Sequence, residues 1–109
     1  MQFQNEIFEL ISHTGEARAN IFSSLEEARI KNIKKSEDLM KIADDQMIEA
    51  HNMQTKLIQE DIQSGGIDVS LLMVHAQDQL MTAMSEQYLV KKMIEMYETI
   101  HKLEDKIDE

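Results

Sequence analysis

From about Asn5 to Ala28 the chain repeats apolar or small residues at Ile7, Ile11, Thr14, Ala17, Ile21, Leu25 and Ala28. The alternating spacing of three and four places them on one stripe of a helix. Gly15 interrupts that stripe. A mid-helix glycine costs about 1 kcal/mol against alanine, so its presence there predicts the close approach of a second helix rather than a break. Lys31, Asn32, Lys34 and Lys35 follow. A basic cluster complements the negative end of a helix dipole and marks the first turn.

A second helix is predicted from about Ser36, read as its N-cap with Glu37 and Asp38 in the first turn, or from a few residues earlier, to Gln63. Its stripe runs Met40, Ala43, Met47, Ala50, Gln54, Leu57, Asp61. The two polar members need partners if they are buried. Ser64-Gly65-Gly66 ends the helix, because consecutive glycines favour a turn. A third helix then runs from Val69 or Ser70 to Lys106, about 55 Å at 1.5 Å per residue. Its apolar residues cover more than one side. A band of Leu72, Leu89, Met93, Met96, Ile100 and Leu103 is expected to close the monomer, with Leu71, Val74, Met81 and Tyr88 on its flank. The surplus apolar surface predicts packing against further copies of the chain, a homo-oligomer. The charged stretch Glu104–Glu109 reads as a frayed tail.

Helices at about 5–28, 36–63 and 69–106 give an all-α, up-down-up three-helix bundle in which residues 1–109 form one domain. Composition agrees: of 109 residues, 42% are hydrophobic but only 5% aromatic, with no proline and three glycines, which leaves a core of helix-forming Leu, Ile, Met and Ala. The absence of cysteine removes disulfides, thiolate metal sites and a cysteine nucleophile, and suggests a reducing compartment. No stretch approaches a membrane span and the N-terminus lacks a signal-peptide pattern, so a cytoplasmic location is expected. A net charge of −10 disfavours nucleic acid and anionic membranes, and attracts basic protein partners.

Four histidines stand at positions 13, 51, 75 and 101. His13 and His101 lie in mixed polar surroundings and receive no role; His51 reads as a surface residue. His75 differs, because it follows Leu71-Leu72-Met73-Val74 and precedes Ala76-Gln77-Asp78-Gln79-Leu80-Met81. An imidazole with a pKa of about 6.5 keeps one ring nitrogen unprotonated near neutrality and can carry a phosphoryl group without a separate strong base. The competing account makes this stretch core and oligomer interface, with His75 satisfied inside it. Asp78 breaks the packable line Val74, Asp78, Met81, Ser85. It is either solvated or placed on a threefold axis, where three carboxylates would require a cation or protonation. There is no phosphate-binding glycine loop, no Ser/His/Asp order and no paired carboxylates. These absences favour a carrier over an enzyme with a small-molecule pocket.

The runs Val74-His75-Ala76-Gln77-Asp78-Gln79-Leu80-Met81-Thr82 and Glu49-Ala50-His51-Asn52-Met53-Gln54-Thr55, with Gly15-Glu16-Ala17-Arg18 upstream, resemble the lactose/cellobiose-type enzyme IIA of the bacterial phosphotransferase system. The resemblance covers nearly the whole chain. It implies a homotrimer of three-helix bundles, phosphorylation of His75 by phospho-HPr, and onward transfer to a cysteine of a IIB protein. It also implies a divalent cation, expected as Mg2+, held by Asp78 on the trimer axis, and service to a membrane IIC component during disaccharide uptake. Gln77 and Gln79 become candidate phosphoryl contacts. The chain departs from the family in carrying Gln79 where a second histidine is common; glutamine can hydrogen-bond but cannot titrate. A histidine phosphotransfer domain of two-component signalling and a purely structural helical trimer are the alternatives.

Overall fold

The computed structural model describes residues 3–65 and 70–108. They form three α-helices: α1 (Gln4–Arg29), α2 (Ile33–Gln63) and α3 (Leu71–Ile107). The up-down-up order holds, since Ser24 meets Ser36 across the first turn while Ala28 meets His101 far along α3. The molecule is a rod of 66 × 17 × 17 Å. α1 packs along both other helices, whereas α2 and α3 meet only locally. Among the described residues no helix is long and apolar enough to cross a membrane.

α1 buries Ile7, Leu10, Thr14, Ala17, Ile21, Ser24 and Ala28. The stripe is the expected one, except that Leu10 and Ser24 face fully inward while Ile11 and Leu25 are half-buried at its edge. α1 ends in a Schellman motif: the Asn32 N–H donates to the Glu27 carbonyl at 2.8 Å and the Lys31 N–H to the Ala28 carbonyl at 3.2 Å. Lys31 supplies the left-handed residue, φ 70°. On the exposed corner, Arg29 hydrogen-bonds Glu26 and holds its carboxyl below the ordinary carboxylate range. The Asn32 amide does the same for Glu27.

The start of α2 decides between the two readings. The helix begins at Ile33 with Asn32 in the cap position, and Ser36 is a buried helical residue rather than an N-cap. Its hydroxyl is needed elsewhere. Ser24 Oγ donates to the Ser36 carbonyl at 2.7 Å, Ser36 Oγ donates to the Ser24 carbonyl at 2.8 Å, and the two hydroxyls stand 3.1 Å apart. This reciprocal pair satisfies two buried polar side chains and ties the end of α1 to the beginning of α2. Met40, Ala43, Met47, Ala50 and Leu57 are buried as expected, while Gln54 and Asp61 are only half-buried.

The larger correction concerns α3. Its buried line is Ala76, Leu80, Ala83 and Val90. Small residues let α3 approach α1 closely, and apart from Leu72, which is half-buried against the core, the bulky band expected to close the monomer is left outside. Leu89, Met93, Met96, Ile100 and Leu103 are all exposed, as are Leu71, Val74, Met81 and Tyr88. α2 and α3 are bridged at Asp44, which accepts from Gln87 Nε2 at 2.7 Å and pairs with Lys91 Nζ at 2.9 Å. Gly65 sits at φ 71° after α2, a conformation glycine adopts without penalty; Gly66 and Val69 lie outside the described residues.

Candidate functional site

Ser70 fixes the beginning of α3. Its backbone is extended, its hydroxyl accepts the Met73 N–H at 3.0 Å and its carbonyl accepts the Val74 N–H at 3.1 Å. One turn further on, Ala76 is fully buried and pins α3 to the core, while His75 beside it is exposed. The ring of His75 makes no hydrogen bond among the described residues. Side chains on a helix lean toward its N-terminus, so the imidazole projects over the first turn of α3, where the partial positive charge of the helix end favours an anion. The stretch Ser70–Val90 contains no Lys or Arg. Phosphoryl charge on His75 would therefore meet a helix dipole but no local cation from that segment.

The neighbours of His75 divide by helical geometry. Gln77 advances about 200° around the helix, onto the far side, and within one chain cannot contact the ring. Gln79 lies one turn on and about 40° round, on the same side. It is half-buried against α1, where a Cβ placed on Gly15 would stand 3.8 Å from Gln79 Nε2. That is an ordinary van der Waals distance. Gly15 thus faces α3 as expected, but with room for a methyl group. A few residues along, Arg18 of α1 grips Glu86 of α3, with Nε to Oε1 at 2.8 Å and Nη2 to Oε2 at 3.1 Å.

Asp78 is exposed on the outward face of α3, flanked by Leu71, Val74 and Met81, which are 86%, 51% and 67% exposed. It forms no ion pair or hydrogen bond among the described residues. Nor do those residues contain any group of three His, Asp or Glu side chains able to hold a metal ion. The expected cation therefore finds no ligand set in a single chain, and His75 with Asp78 does not supply one.

Of the other histidines, His51 is exposed and lines an open groove between α2 and α3 with Asp44, Met47, Ile48, Met84, Gln87 and Lys91. His101, which no motif or spacing singles out, has a structural task. Its Nε2 lies 2.8 Å from the Ala28 carbonyl at the end of α1, its Nδ1 lies 3.1 Å from Glu104 Oε1, and its ring stacks on Tyr97 at 5.9 Å. The exposed imidazole of His75 and the engaged one of His101 are thus chemically unlike.

The chain is similar to known proteins over nearly its full length. Residues 5–98 match the model of the family described as PTS system, Lactose/Cellobiose specific IIA subunit. The lactose-specific EIIA component of Streptococcus mutans is 34% identical over 90 residues, covering 83% of this chain and 86% of that protein. The N,N'-diacetylchitobiose-specific EIIA component of Escherichia coli is 34% identical over 99 residues, covering 91% and 85%. The crystal structure of the cellobiose-specific enzyme IIA of Bacillus anthracis superposes with a TM-score of 0.87 at 29% identity, covering 94% of each chain. The IIA(chitobiose) of Escherichia coli, solved in complex with HPr, superposes with a TM-score of 0.82 at 33% identity, covering 93% of this chain and 98% of that one. With residues 5–98 matching the family model and three helices that superpose on the solved IIA structures, the chain belongs to the lactose/cellobiose-specific IIA family of the phosphotransferase system.

Proposed function

We propose that His75 is the phosphoryl-carrying residue of this IIA component, loaded by phospho-HPr and discharged to a IIB protein in the cytoplasm. The observation that carries the reading is the free, exposed ring of His75 at the opening of α3, beside a fully buried Ala76 that holds the backbone still. In the first step a bond forms between phosphorus and the unprotonated ring nitrogen while the bond to HPr breaks. In the second, a cysteine thiolate of IIB takes the phosphorus and the ring nitrogen recovers its lone pair. Both steps need in-line approach and neutralisation of spread charge. Because Ser70–Val90 lacks cations and the chain carries a net charge of −10, a basic partner must bring them. Support for HPr in that role comes from the Escherichia coli relative, which was solved with it. The sugar, a disaccharide of the lactose, cellobiose or chitobiose kind, would be handled by IIC and never touch this chain.

The working form in this reading is a homotrimer built on the outward face of α3. Leu71, Val74, Met81, Tyr88, Leu89 and Met96 give that face a continuous apolar line, each at least half exposed in the single chain. Exposed apolar surface on this scale marks an interface. Asp78 interrupts the line, so three copies around an axis would bring three carboxylates together. These would hold a divalent cation, Mg2+ being the expected one, which neutralises their repulsion and takes no part in phosphoryl transfer. Gln79 is on the correct side to meet a phosphoryl group on its own His75, whereas Gln77 could do so only from another copy.

The test is incubation with phosphoenolpyruvate, enzyme I and HPr. Acid-labile phosphate is expected on a single peptide containing His75, and His75→Gln should abolish both labelling and transfer to IIB while leaving helix content unchanged. Full labelling of the His75→Gln protein would overturn the assignment.

A further inference from the structure

Gln79 carries an anomaly that its neighbours do not explain. Its amide oxygen Oε1 is enclosed and has no hydrogen-bond partner. An enclosed acceptor without a donor costs about 1–3 kcal/mol, so it calls for a donor within reach. Arg18, which α1 presents to this part of α3, is already committed to Glu86. Gly15, directly opposite, offers no side chain. One turn before Gln79 on the same side stands His75, whose ring makes no hydrogen bond among the described residues. Side chains four apart on a helix have Cβ atoms about 5–6 Å apart, and long side chains fold back over the preceding turn, toward residue i−4. The orphan is an acceptor, and phosphoryl oxygens have no proton to give it. An imidazole N–H does.

Resting on the carrier role proposed for His75, we infer that Gln79 is a positioning residue: rotation of the exposed His75 ring brings its Nδ1–H onto Gln79 Oε1, which accepts it and so fixes the ring as the Nδ1–H tautomer. Nδ1 is the ring nitrogen nearer the backbone, so a proton shared with the residue one turn on is held inward. Nε2, at the tip, keeps its lone pair and faces the approaching phosphorus. Which nitrogen of a histidine is protonated is set by the hydrogen bond the other makes, and here a neutral amide does the setting without adding charge. Once the phosphoryl group is on Nε2, the retained Nδ1–H bond keeps the ring oriented for the return step.

The experiment uses the full chain, unphosphorylated, with 15N-labelled histidine. Long-range 1H–15N spectra of the parent should show His75 predominantly as the Nδ1–H tautomer. Gln79→Met keeps the length and the packing but loses the acceptor; it should return His75 to the mixed tautomers of a free imidazole and slow phosphorylation by HPr about fivefold, the weight of one neutral hydrogen bond. Gln79→Glu retains an acceptor oxygen and should preserve the tautomer. A His75 tautomer unchanged in Gln79→Met, or a parent ring that is mainly Nε2–H, overturns the inference. So does an Arg18→Met protein that scrambles the tautomer while Gln79→Met does not. Failure of the carrier reading looks different: the tautomer responds to Gln79 as described, yet HPr leaves His75 unmodified.

Discussion

Replacing Asp78 by leucine tests whether α3 assembles three copies through its outward face. In the trimer proposed here the three Asp78 side chains converge. At 4 Å each carboxylate pair repels by about 4 kcal/mol at an effective dielectric of 20, so three pairs oppose assembly by about 12 kcal/mol until a cation is bound. The flanking Val74 and Met81 show what the local surface otherwise prefers, since both are apolar and more than half exposed in the single chain. A leucine in that line removes the repulsion and adds roughly 2 kcal/mol of apolar burial per copy, roughly 6 kcal/mol per trimer. Asp78→Leu should therefore remain trimeric at micromolar concentration in the presence of a chelator, whereas the parent should shift toward monomer. Sedimentation velocity with and without EDTA reads both proteins directly. Equal chelator sensitivity in the two would refute the axial position of Asp78. A monomeric Asp78→Leu protein would refute the interface itself.

Gly15→Ala should stabilise the chain by about 1 kcal/mol in urea unfolding, because α1 is helical there and the new methyl meets Gln79 Nε2 only at 3.8 Å. A destabilised variant would show that α1 and α3 are closer than this geometry allows. Ser24→Ala and Ser36→Ala should each cost about 1 kcal/mol, and the double variant less than their sum, since the two hydroxyls also touch each other at 3.1 Å and that contact is lost in either single variant. Strict additivity in the double-mutant cycle would mean that the two hydrogen bonds act independently.

How much of this was legible from the sequence depends on where each residue's partner lies. The number and order of the helices follow from local periodicity and from Gly65, and they stand within a few residues of where the pattern places them. His75 and Asp78 were legible as oddities of type and setting, a titratable ring and a carboxylate within apolar neighbours. The inward side of α3 was not. That helix is apolar on two sides, and periodicity counts large residues more readily than small ones; the core took Ala76 and Ala83, which have least to bury but allow the closest approach to α1. The role of His101 was beyond reach for another reason, because its partner is a backbone carbonyl 73 positions away. Ser36 misled in the opposite direction. A serine before two acidic residues is a fair N-cap signal, yet here its hydroxyl answers Ser24, and Asn32 takes the cap position.

The absence of Lys and Arg from Ser70–Val90 suits the carrier role proposed for His75 and need not be a defect of the site. A phosphoryl group gripped by lysines would be loaded readily and released slowly, whereas a group held only by a helix N-terminus remains available to the next nucleophile. Thr82 offers a way to change that balance. It is exposed, seven residues after His75 and nearly in line with it, and a lysine there would lean back toward the ring. Thr82→Lys should stabilise the phosphorylated state by about 0.5–1 kcal/mol, the usual weight of an exposed ion pair, and slow transfer from preloaded protein to IIB by about two- to fivefold at low salt, with the difference vanishing as salt is raised. Loading by HPr should suffer for a related reason, since the new charge repels a basic partner. If Thr82→Lys instead accelerates discharge to IIB, then local positive charge is what the transfer lacks, and the cation-poor opening of α3 is not what keeps the phosphoryl group moving.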